Sequence, residues 1–163
     1  MKGIRIGQSS DIHKLAVGLP LILGGERIDH SKGCVAHSDG DALVHAITES
    51  IIGALGLGDL GTFYSDTDDR NKGRNSLEML AEINELMIKK GYKIINIDSL
   101  IMLEQPKLKK YSEKMRKNIA NSLQIDYNLI NIKSTRGEEI GFIGREEGIM
   151  AQAVVLLQED EKQ

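Results

Sequence analysis

Leu43, Val44, Ile47, Ile51 and Leu55 recur at helical spacing through residues 41–57, and this apolar helix stands among segments patterned as strands. A helix with so broad an apolar face needs a flat apolar surface to bury it. Residues 4–7, 93–103, 130–134 and 149–157 read as the strands that would supply one. On 93–103 the expected inward side is Ile95, Ile97, Ile101 and Leu103. Residues 21–28 read as an apolar hairpin broken at Gly24-Gly25. A second helix is expected at 76–90, with Asn75 and Glu78 at capping-box spacing and Gly91 placed to stop it. A third is expected at 111–123, where Tyr111, Met115 and Ile119 fall four apart. Helices inserted between strands imply an α/β sandwich, a mixed sheet with helices packed on one face; the topology expected is ferredoxin-like.

No linker, repeat or low-complexity run divides the 163 residues, and the 2 prolines, Pro20 and Pro106, lie far apart. Residues 1–158 are therefore expected to form one domain, followed by a polar tail at 159–163. The 21 basic residues against 24 acidic ones give a net charge of -3, without the basic excess of a nucleic-acid binder. With 0 Trp, 4 Tyr and 2 Phe the core is aliphatic and base-stacking platforms are not expected. The single Cys34 excludes an intrachain disulfide and a cysteine zinc cage. The opening residues lack a signal-peptide run, and no stretch of about 18 apolar residues occurs. The expectation is a cytoplasmic protein without membrane or nucleic-acid partners; a mature plastid form fits the same composition.

All 4 histidines fall in the first 45 residues, and three of them, His13, His37 and His45, belong to the aspartate-bearing segments 11–13 and 37–45. In an extended Asp11-Ile12-His13, residues two apart share a side, so a carboxylate and an imidazole converge. His45 lies one turn into the first helix, with Glu49 four residues on along the same face. Asp11, His13 and His45 with a vacant fourth position match a catalytic zinc site, and Glu49 is placed to hydrogen-bond the other nitrogen of His45. An isolated Asp-x-His is common, however, and His45 alone also suits a core histidine. His30 reads as a solvent-facing turn residue.

The loop His37-Ser38-Asp39-Gly40-Asp41 offers a helix N-terminus, a hydroxyl and an imidazole to an anion. Ser, Asp and Gly also serve any helix-initiating turn. Gly58-Asp59-Leu60-Gly61 is a tight turn, and the carboxylates of 64–69 suit either a hard cation or a solvated charge run. Glu104-Gln105-Pro106-Lys107-Leu108 and Ser134-Thr135-Arg136-Gly137-Glu138 end two strands, where ligand loops are frequent.

Taken together these segments carry a resemblance. Ser38-Asp39-Gly40-Asp41-Ala42-Leu43-Val44-His45 matches the Ser-Asp-Gly-Asp-x-x-x-His signature of the 2-C-methyl-D-erythritol 2,4-cyclodiphosphate synthases. The chain is similar to that family also at Asp11-Ile12-His13, Gly58-Asp59-Leu60-Gly61, Asp66-Thr67-Asp68, Pro106-Lys107 and Gly141-Phe142-Ile143-Gly144-Arg145, in order along nearly its whole length. The resemblance implies conversion of 4-diphosphocytidyl-2-C-methyl-D-erythritol 2-phosphate to the cyclic diphosphate and CMP in non-mevalonate isoprenoid synthesis.

It implies one Zn2+ per subunit on Asp11, His13 and His45, and Mg2+ or Mn2+ with the substrate diphosphate. His37 falls on the family's transition-state-stabilising position, with Ser38 beside it. Asp11 and His13 also fall on substrate-contact positions. Asp59, Gly61, Tyr64, Asp66 and Asp68 fall on those that hold the methylerythritol part. Leu103, Pro106, Lys107, Leu108, Lys109, Thr135 and Glu138 fall around the cytidine, and Phe142 and Arg145 on further substrate contacts. A homotrimer with sites between subunits is implied as well. Three positions depart from the family pattern. Ser9-Ser10 stand for a Gly and an aromatic, Ser65 for a proline, and Arg136 for a threonine that stabilises the transferring phosphoryl group. An arginine there can supply positive charge to the same oxygens. Two other readings fit the same cluster: a metal-dependent phosphohydrolase, and a binding protein in which zinc only stabilises the fold.

Overall fold

The computed structural model describes residues 3–65 and 67–160. Its framework is a five-stranded sheet in the order β4-β1-β7-β5-β6, formed by β1 (Ile4–Val17), β4 (Lys32–Cys34), β5 (Tyr92–Met102), β6 (Ile130–Thr135) and β7 (Gly148–Glu159). β2 (Leu21–Leu23) and β3 (Glu26–Ile28) form the expected hairpin apart from it. The helices are α1 (Ala42–Leu55), α2 (Leu60–Phe63), α3 (Ser76–Lys89), α4 (Ser112–Leu123) and α5 (Gly141–Gly144). No helix among the described residues is long and apolar enough to cross a membrane.

The first strand is much longer than the apolar residues 4–7. Residues 8–14 are mostly polar, yet they stay extended because each faces a residue of β7, from Ile4 opposite Gln158 to Lys14 opposite Gly148. β7 has the strong alternation, with Ile149, Ala151, Ala153, Val155 and Leu157 buried, and it pairs antiparallel with β5 on its other side. β5 and β6 run parallel through the α4 crossover. The long strands and the helices between them therefore follow a β-α-β-α-β-β order with the last strand at the centre. This corrects the ferredoxin-like expectation, whose order is β-α-β-β-α-β.

A register shift in β5 between Ile94 and Asn96 corrects a second detail. The inward residues are Ile94, Ile97, Ser99, Ile101 and Leu103, while Ile95 is half-buried, because a bulge moves one residue out of the period-2 pattern. Glu159, expected in a polar tail, is the last residue of β7, and the Asp160 N–H is bonded to the Gly91 carbonyl.

α1 packs across β1 and β7, and α3 and α4 continue the layer over β5 and β6. Leu43, Ile47, Ile51 and Ile52 are fully buried there, each contributing about 1.5–3 kcal/mol by leaving water. Gly7 lets α1 come this close, since a methyl group on it would overlap the Ser50 carbonyl. The opposite sheet face is open, and Ile6, Ile12 and Val154 are exposed on it at 69%, 56% and 43%.

Candidate metal centre and strand-end cavity

The odd-numbered residues of β1 point at α1, and two of them are Asp11 and His13. His45 faces them from α1, one turn past the cap. Asp11 Oδ2 lies 2.9 Å from His13 Nε2 and 3.1 Å from His45 Nδ1, and the two ring nitrogens are 3.3 Å apart. Three donor atoms thus lie within 4.8 Å of one another, a carboxylate and two imidazoles of the kind that hold zinc. Burial works against a charge on Asp11, but hydrogen bonds to His13 and His45 outweigh it and hold the carboxyl well below its usual range. Burial likewise opposes a charge on His45, and the bond to Asp11 outweighs it and raises the imidazole.

His45 turns its other nitrogen away from this group. Nε2 lies 2.8 Å from Ser76 Oγ and 3.1 Å from Ser38 Oγ. Ser76, the first residue of α3, gives its backbone N–H to Asp39 Oδ2 at 2.9 Å and its hydroxyl to Asp39 Oδ1. Glu49, expected to serve His45, instead takes the Leu60 N–H at 3.2 Å and the Ser9 hydroxyl. Four residues along α1 carry it past the imidazole to β1 and the Gly58-Asp59 turn. Sequence reading missed Ser76 because it lies thirty-one positions from His45, and a serine at a helix start is unremarkable in sequence.

Of the two readings of the loop before α1, anion site or ordinary helix-initiating turn, the cap at Asp41 fits the second. Asp41 is fully buried and accepts N–H groups from Val44, Gly24 and Gly25 at 3.0, 3.0 and 2.7 Å. Burial pushes its carboxyl up to about 6 against the pull of these three donors. His30, expected in solvent, is half-buried, with an Nε2 that has no hydrogen-bond partner among the described residues.

His37 and Ser38 line one cavity of about 310 Å³ with Asp11, His13, His45 and Tyr64. His37 Nε2 faces the Asp68 carbonyl at 3.2 Å. The Tyr64 hydroxyl donates to Glu82 at 2.8 Å, and the Arg74 guanidinium covers its ring at 5.1 Å. Asp59 caps α2 through the Thr62 N–H at 2.9 Å, with Gly61 inside that turn. Asp68 is paired with Arg70 at 2.6 Å, which holds its carboxyl low, at about 2. Asp66 lies outside the described residues.

The two strand-end loops meet in a second cavity of about 330 Å³. Its walls hold Leu103, Pro106, Lys107, Leu108, Lys109, Thr135, Arg136 and Glu138 together. Glu104, the first residue of its loop and also in the wall, is buried and accepts the Gly137 N–H at 2.9 Å, tying one loop to the other. Arg136 donates to Glu138 at 3.1 Å. Phe142 and Arg145 line neither of these cavities: Phe142 is on α5, and Arg145, just after it, is paired with Glu147 at 2.9 Å.

The fold and the donor cluster define an α/β protein with three side chains that could hold a metal ion, beside a cavity walled by two strand-end loops. The YgbB family model matches residues 4–158. The chain is 48% identical to 2-C-methyl-D-erythritol 2,4-cyclodiphosphate synthase of Fusobacterium nucleatum subsp. nucleatum, over 95% of this chain and 97% of that one. It is 51% identical to the Clostridium acetobutylicum synthase, over 94% and 99%. Among solved structures, a CDP complex of IspF from Plasmodium falciparum matches with a TM-score of 0.87 and 36% identity over 99% of both chains. The bifunctional IspDF of Campylobacter jejuni matches with a TM-score of 0.92 and 42% identity over 96% of this chain, which spans 42% of that longer one. The chain belongs to the YgbB family of 2-C-methyl-D-erythritol 2,4-cyclodiphosphate synthases.

Proposed function

We propose that the two cavities divide the synthase reaction between them, one holding the phosphates that react and the other the cytidine. In 4-diphosphocytidyl-2-C-methyl-D-erythritol 2-phosphate, an oxygen of the 2-phosphate attacks the distal phosphorus of the CDP group. The new P–O bond closes the ring, the P–O bond to CMP breaks, and the protein needs no nucleophile of its own. Its part is positioning and charge neutralisation. The observation that carries this reading is the three-donor cluster opening into the same cavity as His37 and Ser38.

Asp11, His13 and His45 are the residues that would hold Zn2+, which when bound supplies a Lewis acid to a phosphate oxygen. His37 offers Nε2 to a phosphoryl oxygen, exchanging it for the Asp68 carbonyl, and Ser38 adds a hydroxyl. Asp59, Gly61, Tyr64 and Asp68 are the described residues assigned to the methylerythritol part, Asp66 keeping that role on the family resemblance alone, and Mg2+ or Mn2+ would accompany the diphosphate. Leu103, Pro106, Lys107, Leu108 and Lys109 with Thr135 and Glu138 take the cytidine, in keeping with the CDP named for the Plasmodium falciparum relative. Arg136 trades the Glu138 carboxylate for a phosphoryl oxygen. The open sheet face is covered in a homotrimer, where Phe142 and Arg145 reach a neighbouring subunit's site, and the enzyme works in the cytoplasm.

Purified zinc-loaded protein should form cyclic diphosphate and CMP in equal amounts. Inorganic phosphate in place of CMP would mean hydrolysis, and an inactive protein that unfolds on chelation would mean a zinc-stabilised binder. Arg136→Ala should lower turnover on the order of 10²-fold; unchanged turnover would remove Arg136 from the reaction.

A further inference from the structure

We propose that Ser76 and Asp39 are positioning residues that fix the tautomer of His45 and thereby set the affinity of the metal site. The argument follows single protons. Both Asp39 oxygens accept backbone N–H groups, so the bond from Ser76 Oγ to Asp39 Oδ1 uses the serine proton. Ser76 Oγ is then left with lone pairs toward His45, whose Nε2 lies 2.8 Å away. That contact is a hydrogen bond only if Nε2 carries the proton. An ion in the cluster needs Nδ1 bare, the nitrogen that faces Asp11 at 3.1 Å and His13 at 3.3 Å, and Ser76 lets the imidazole give up that proton while keeping its one N–H on Nε2. The reverse tautomer would aim an N–H at the ion position and leave Nε2 and the serine lone pairs facing each other.

The relay is held where water cannot replace it. Ser76 is 1% and His45 7% exposed. Asp39 is anchored by a second bond, from the Ser76 N–H to Oδ2 at 2.9 Å, so the residue that orients the ligand also starts α3. Ser38 Oγ is the competing acceptor at 3.1 Å, but it takes the Gly40 N–H and has no carboxylate behind it. The proposal rests on the reading of Asp11, His13 and His45 as metal ligands, and extends it to two residues that never touch the ion.

Zinc affinity, measured by chelator competition, tests it. Loss of a group that orients a metal-bound imidazole costs about 10- to 100-fold in affinity. Ser76→Ala should fall in that range, while Ser38→Ala should stay within about threefold. Equal affinity of Ser76→Ala and the parent would overturn the relay. Should Ser76→Ala fail to fold, Asp39→Asn should lose affinity, and an undiminished affinity there overturns it equally. Nitrogen-15 NMR of the zinc-loaded protein gives an independent reading: the His45 Nε2–H signal should move in Ser76→Ala and stay in place in Ser38→Ala, and an unmoved signal in Ser76→Ala refutes the relay. Failure of the parent to bind zinc would sink the metal reading instead, whatever the variants do.

Discussion

Asp11 and His45 pull each other's proton affinity in opposite directions, and the metal-free protein should show it. Asp11 lies below its usual 3.8, so its contribution to stability is present above that value and fades as pH falls through the lowered one. His45 lies above its usual 6.5, so its contribution is complete below 6.5 and fades as pH rises through the raised value. The pair thus stabilises the metal-free fold most between about pH 4 and 6.5. An entering ion must expel the proton that His45 holds. Zinc binding should therefore release protons and weaken as pH drops through that range. Calorimetry in buffers of differing ionisation enthalpy checks this, and a pH-independent affinity would contradict it. The three donors were legible in sequence because two sit at strand spacing and the third opens a strongly patterned helix. The groups that orient them were not. Glu49 looked apt from helical spacing alone, but spacing places a side chain on a face without saying which neighbouring element it meets.

The N-terminus of α1 is where two elements are fastened with one side chain. Asp41 caps the helix through the Val44 N–H and at the same time receives both glycine N–H groups at the tip of the β2–β3 hairpin. Removing a helix cap costs about 1 kcal/mol, and each buried N–H left without a partner about 1–3 kcal/mol more. Asp41→Ala should therefore destabilise the protein by roughly 3–7 kcal/mol. The measurement is a urea midpoint, falling with little change in slope; a loss under about 1 kcal/mol would mean that water reaches the site. At this scale helices were well forecast, since Asn75 caps α3 through the Leu77 N–H and Lys89 ends it. Strands were not. Gln8, Ser9 and Ser10 carry no strand pattern of their own and are extended because β7 lies alongside, while one bulge in β5 exchanged Ile95 for Ile94.

Across the whole molecule the clearest unfinished surface is the sheet face opposite the helices. Ile6 and Ile12 on β1 and Val154 on β7 stand in water there, an apolar group of the kind that marks an interface. Ile6→Asp should turn the proposed trimer into single chains in sedimentation, with the helix content unchanged and synthase activity lost. A single-chain parent protein would refute the assembly. Local patterns could not foretell this arrangement, because the order of strands depends on where β7 inserts, and that is a matter of long-range pairing.

β7 stands between β1 and β5 yet comes after both in the chain. Asp11 and His13 ride on a strand whose long partner lies more than a hundred residues downstream. A fragment cut anywhere between β6 and β7 would keep every ligand residue and still be unable to bring them together. The donor cluster on β1 therefore depends on a pairing of high sequence separation, the kind a chain is slowest to find.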